Sequence, residues 1–302
     1  MIDKIKKGGL VYDFTFANLA IAYLETNEYE YLHKIAALDA ANHILKHARH
    51  FGYNVPQESR LELVTYLLLP IEEKKEKLSG FKKNLDFAIK NVVEDDFAQM
   101  IALQFLPEKF CFSSSIFFTF GYDIGVAYAN NCSLNLAHPL FMENRNELKY
   151  YAVHELHHAG FIMTKGNEMP SLNINSYHEM VQMIEYVTHL EGMGTYAALD
   201  VRIKENAANF DKDYIALLNT ELMESYRTEY FDMYYFFKNN PEKIVSNEDW
   251  SKISILSDEK RLWYTVGAIM AQTIDEKLGR KKLVSLISKP SSNFIETYLS
   301  IN

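Results

Sequence analysis

The stretch Tyr151-Ala152-Val153-His154-Glu155-Leu156-His157-His158-Ala159-Gly160 decides how the chain is read. Tyr151, His154, His158 and Ile162 fall at i, i+3, i+7 and i+11, one stripe of an α-helix. A helix is therefore predicted over Glu147–Met163. His154 and His158 then share a face one turn apart. Two imidazole nitrogens at that spacing bind one Zn²⁺ ion. Glu155 stands beside the first of them, completing H-E-x-x-H. In that pattern the carboxylate serves as general base toward a water that zinc brings to a pKa near about 7. His157 points elsewhere, toward the back of a ligand or the surface.

A catalytic zinc keeps three protein ligands and one open position. Downstream, Met180, Ile184, Val187 and Glu191 recur at i, i+4, i+7 and i+11, so Glu191 lies on the apolar stripe of its own helix. A buried ionised carboxylate needs a partner, and zinc is a sufficient one. Two alternatives stand beside it. The helix could end at Gly192-Met193-Gly194 and leave Glu191 in solvent, or His189, on another face, could be the third ligand. Glu185 reads as an acceptor for a ligand imidazole or as a solvated side chain, and His178 as a surface residue.

His154-Glu155-x-x-His158 followed by Glu191-Gly192-Met193-Gly194-Thr195-Tyr196 resembles the gluzincin group of zinc peptidases. More narrowly it resembles uncharacterised bacterial families of predicted zinc-dependent proteases with a late Glu-Gly-x-Ala-like signature. Gly194 stands where Ala is expected. The resemblance covers about residues 115–286. It implies a zincin-like fold in which the two-His helix packs on the glutamate helix and an upstream strand borders the substrate cleft. It also implies the metal ligands His154, His158 and Glu191, with Glu155 catalytic. The Tyr-x-x-Gly of Tyr264 and Gly267 matches the family pattern and makes Tyr264 the first choice as oxyanion donor. The competing reading takes Tyr264 as one of 20 tyrosines in an aromatic-rich core. Tyr264, Gly267 and Ala271 share a face, and small residues there allow close packing on another helix.

Outward from the motif, the fold class reads as mainly α (α+β). Glu30–His50 carries helical periodicity and stops at Gly52, and Phe81–Phe105 is again helical in period. From Phe110 to Ala137 the chain turns to Phe, Ile, Val and Tyr punctuated by Gly121, Gly125 and Asn130-Asn131, which is strand chemistry. A small antiparallel sheet is expected, with strands near Ser115–Phe120, Ile124–Tyr128 and Ser133–Ala137. Helices return over Ser176–Ile203, Lys212–Lys238 and Asp258–Leu278, with a loop at Lys165–Ser171 and Gly279 as a helix stop. The division expected is a helical N-terminal region, 1–106, and a zincin-like catalytic region, 107–302, or one compact unit over 1–302.

Composition narrows the function. The chain has 302 residues, 48% hydrophobic, with 31 Lys plus Arg against 40 Asp plus Glu and a formal charge of −9. That balance argues against a nucleic-acid partner. Met1–Lys7 is basic, but Asp13, Asn18 and Glu25 break the apolar stretch that follows, unlike a signal peptide. No continuous apolar run approaches the length of about 18 residues that a membrane span needs. Cys111 and Cys132 suit a reduced compartment and read as inert core residues. A cytoplasmic location is expected. His43, His47 and His50, at i, i+4 and i+7, could form a second metal site, but their place near a helix C-terminus is favourable through the dipole alone. The aromatic run from Tyr226 to Phe237 reads as core before substrate pocket.

The reading that follows is a single-zinc hydrolase acting on peptides, or on a small amide substrate. The alternatives are a zinc-bearing or metal-free helical binding module without turnover, and a zinc hydrolase of a small non-peptide substrate.

Overall fold

Lys4-Ile5-Lys6-Lys7 and Leu10-Val11-Tyr12-Asp13 form two short strands, β1 (Lys4–Lys7) and β2 (Leu10–Asp13), paired antiparallel. Later in the chain come β3 (Ser114–Thr119), β4 (Gly125–Tyr128) and β5 (Asn131–Asn135). The five make one sheet in the order β1-β2-β3-β5-β4. The computed structural model describes residues 2–166 and 168–302. Met1, and Asn167 of the expected loop, lie outside the described residues.

The chain is mainly α with a small sheet, and the three strands expected between Phe110 and Ala137 are present within two residues of their predicted ends. The sheet itself is mixed rather than antiparallel. β2 pairs with β3 and β3 with β5 in parallel, while β4 returns antiparallel to β5. Parallel pairing needs a crossover, which the long helical stretch between β2 and β3 supplies. β1 escapes the sequence reading because its burial alternates between exposed and half-buried and its side chains are mostly lysine. That is how an edge strand is protected from further pairing.

Two compact units result, residues 1–102 with 109–163 and residues 103–108 with 164–302. In the first, β3 is almost wholly buried, as a strand covered on both faces must be. Adjacent side chains on β3 point to opposite faces. Phe118 stacks on Phe14, at the start of helix α1 (Thr15–Thr26), with ring centroids 4.3 Å apart. Phe117 meets His43 of helix α2 (Asp39–Phe51) at 5.4 Å. The expected helix over Glu30–His50 is interrupted by Leu38, which is extended at ψ 153°. Gly52 ends α2 in the left-handed conformation, as expected. Helix α3 (Glu147–Lys165) carries the two-histidine motif.

The second unit is helical. Helix α4 (Tyr177–Lys204) starts in a capping box between Ser176 and Glu179 and runs through Gly192-Met193-Gly194 without a break. The expected Lys212–Lys238 helix is two helices, α5 (Lys212–Leu217) and α6 (Thr220–Lys238). The Asn219 side chain caps the second by accepting from the Leu222 N–H at 3.0 Å. Helix α7 (Leu262–Leu278) ends at Gly279, and α8 (Ser292–Ile301) closes the chain. On α6, Tyr230, Tyr234 and Phe237 are buried. Tyr230 shares a hydrogen bond with Thr188 and Tyr234 donates to Glu185, at 2.8 and 2.6 Å. That half of the aromatic run is core, while Tyr235 and Phe236 are exposed. Among the described residues no helix is long and apolar enough to cross a membrane.

Candidate metal centre

The regular helix α3 puts the His154 and His158 rings 4.1 Å apart between centroids, inclined by 59°. Tyr151 precedes them on the same stripe, 6.5 Å from His154. His158 is buried and His154 half-buried. His157 is fully buried, with Phe161 6.2 Å away, so it is not a surface residue.

Glu155 is buried against the edge strand β4. A Cβ built on Gly125 would stand 2.7 Å from Glu155 Oε1 and 2.8 Å from its Cγ. Real Cβ contacts are never this short, so β4 reaches the carboxylate only because residue 125 has no side chain. Glycine inside a strand pattern is the sequence signal for such an approach. Glu155 is also close enough to add to the upward push that burial gives the Cys132 thiol. A hydrogen-bonded patch adjoins it. Tyr53 donates to Asp123 Oδ2 at 2.8 Å, and burial together with Asp123 raises its hydroxyl far above the ordinary range. His47 Nδ1 shares a hydrogen bond of 2.8 Å with Tyr122.

The histidines of α2 behave as core. Burial lowers His43 to about 4 and His47 to about 3, so both are neutral at pH 7. His50 is exposed. Cys132 is buried, but Cys111 is exposed and so is not the core residue expected.

In the second unit, Glu191 is half-buried on α4. Its neighbour Gly192 meets Gly267 of α7. A Cβ on Gly192 would lie 2.5 Å from Gly267 Cα, and one on Gly267 would lie 2.6 Å from the Thr188 carbonyl oxygen. Two helices can approach this closely only through glycine. The contact fixes the face of α7 on which Tyr264 sits one turn earlier. Tyr264 is half-buried, and the Arg261 guanidinium covers its ring at 3.6 Å from the centroid. Asp213 in turn grips Arg261 Nε through both carboxylate oxygens, at 2.7 and 3.0 Å. No local pattern pairs residues 213 and 261, and sequence reasoning missed both.

His189 stacks on Phe294 at 4.4 Å and 11°, with Nδ1 3.3 Å from Ser291 Oγ. Glu185 accepts from Tyr234. His178 is exposed beside Gln182. Glu191 thus stands on α4 of the second unit, and His154 and His158 stand on α3 of the first.

Residues 18–301 match the family model DUF5700, described as "Putative zinc dependent peptidase". That span is nearly the whole sequence, and the chain belongs to this family. No curated protein and no solved structure gives a significant match.

Proposed function

We propose that this member of the family is a gluzincin-type single-zinc peptidase, with His154, His158 and Glu191 as the metal ligands. Two imidazoles and one carboxylate are donors that zinc accepts, and three protein ligands leave a position open for chemistry. The observation that carries the reading is the arrangement on α3. Its two histidine rings face each other one turn apart, and Glu155 beside them is pressed on the edge strand β4.

When bound, zinc supplies Lewis acidity that makes water a nucleophile at neutral pH. Glu155 takes the proton of the attacking water and returns it to the leaving amine, so water and amide become acid and amine. Its burial favours that shuttle by keeping bulk water from competing for the proton. The Gly125 contact fixes where the carboxylate sits. β4 is an edge strand, so an extended peptide can add to its open side through main-chain hydrogen bonds. Tyr264 is assigned the donor role toward the developing oxyanion. Its orientation is set by the Arg261 stack and the Gly192–Gly267 contact.

The test is zinc stoichiometry by elemental mass spectrometry on tag-free protein purified without chelator. About one zinc per chain, lost in His154→Ala, is expected. Protein that holds no zinc and takes none up on titration overturns the reading.

A further inference from the structure

We propose that Arg261 is a carboxylate receptor, which makes the substrates peptides that carry a free carboxylate close to the scissile bond. The proposal rests on the peptidase reading above.

Arg261 is held in three ways. Asp213, itself buried, accepts from Nε with both oxygens. The Tyr264 ring packs against the flat guanidinium at 3.6 Å. The backbone is left-handed, φ 52°, at the residue that precedes α7. A long side chain constrained in this way has little conformational entropy left to lose on binding.

What is held is the Nε edge, and what is left is the fork. Among the described residues, Nη1 and Nη2 make no hydrogen bond and the ion pair of Arg261 is with Asp213, while the side chain is 24% exposed. The two terminal nitrogens match a carboxylate in bidentate geometry. The position is also relevant to catalysis. Glu191 acts electrostatically on the guanidinium, and Tyr264 lies beneath it. An anion bound to the fork therefore sits beside the proposed oxyanion donor and within electrostatic range of the proposed ligand.

The test is a ligand-observed NMR titration of the full chain with three probes: N-acetylphenylalanine, its amide, and the α-amide of N-acetylglutamic acid. Hydrogen bonds to a charged group predict about ten- to hundredfold tighter binding of a carboxylate probe than of the neutral amide. Preference for N-acetylphenylalanine identifies a terminal carboxylate, and preference for the glutamic amide an acidic side chain. Arg261→Gln should erase the preference. Arg261→Lys keeps a cation opposite Asp213 and should retain the fold but lose most of the preference, because one ammonium cannot present the fork. Equal binding of all three probes, binding of none, or a preference that survives in Arg261→Gln overturns the proposal. If Arg261→Gln does not fold, a full preference in Arg261→Lys overturns it. Zinc content and hydrolysis are measured on the same samples. Intact zinc and hydrolysis without carboxylate preference sink this inference alone. Carboxylate preference without zinc or hydrolysis sinks the peptidase reading and leaves the receptor standing.

Discussion

Gly125 touches Glu155: a Cβ at residue 125 would lie 2.7 Å from Oε1 and 2.9 Å from Cδ of the carboxylate. Gly125→Ala must therefore displace either β4 or the Glu155 side chain. An ångström of misplacement at a reacting group costs up to about a hundredfold in rate. The expected outcome is a folded, zinc-binding protein whose kcat against an unstructured protein substrate falls by about tenfold or more. Wild-type kcat in Gly125→Ala would show that this contact does not position the base.

Glu155→Gln keeps the shape of the side chain and removes its basicity. Loss of general base catalysis predicts a fall of about a hundredfold or more in turnover. Zinc stoichiometry and the circular dichroism spectrum should match the wild type. Equal turnover by the variant would refute the role of Glu155 as proton carrier.

The third ligand is tested by pairing two variants on one helix. Glu191→Ala should weaken zinc affinity, measured by competition with a chelator of known strength. His189→Ala should leave that affinity unchanged and lower the melting temperature, because His189 stacks on buried Phe294. The opposite pattern would move the ligand to His189.

The parts of this fold legible in the sequence are those with a local period. α3 and α4 declare themselves by an apolar stripe at helical spacing, and the same stripes carry His154, His158 and Glu191. The small face of α7 is legible too. Gly267 and Ala271 stand at i+3 and i+7 from Tyr264, and the structure uses Gly267 for the close contact with Gly192 of α4. What is not legible depends on partners far away in the chain. β2 finds β3 about a hundred residues later, with Tyr12 opposite Ile116, and nothing in Leu10–Asp13 encodes that register. The Asp213–Arg261 pair is of the same kind. The left-handed backbone at Arg261 has no sequence signal either, since such a conformation is ordinarily left to glycine or asparagine.

The Gly192–Gly267 crossing predicts that neither residue tolerates a methyl group. Gly192→Ala places a Cβ 2.4 Å from the Gly267 carbonyl carbon, and backbone on both sides leaves no flexible atom to yield. Forced overpacking of this kind costs about 1–3 kcal/mol. Chemical denaturation should show that loss in both Gly192→Ala and Gly267→Ala. The double variant should not be additive, because both substitutions open the same interface. Strict additivity would mean that the two glycines do not share one contact.

Acid stability follows from the two buried histidines of α2. The ordinary histidine value is about 6.5, and burial lowers His43 to about 4 and His47 to about 3. The unfolded chain therefore binds more protons than the folded one between those values and pH 6.5. Each histidine contributes stability that is fully present above pH 6.5 and is lost as pH falls toward its folded value. The limiting slope is about 1.4 kcal/mol per pH unit for each group. Unfolding free energy should accordingly drop steeply between pH 6.5 and 4.5. His47→Gln, which retains a neutral hydrogen-bonding group beside Tyr122, should flatten that slope by up to one histidine's share. Urea titrations at half-unit pH steps measure it. A slope unchanged in His47→Gln would mean that His47 is solvated or already charged in the folded state.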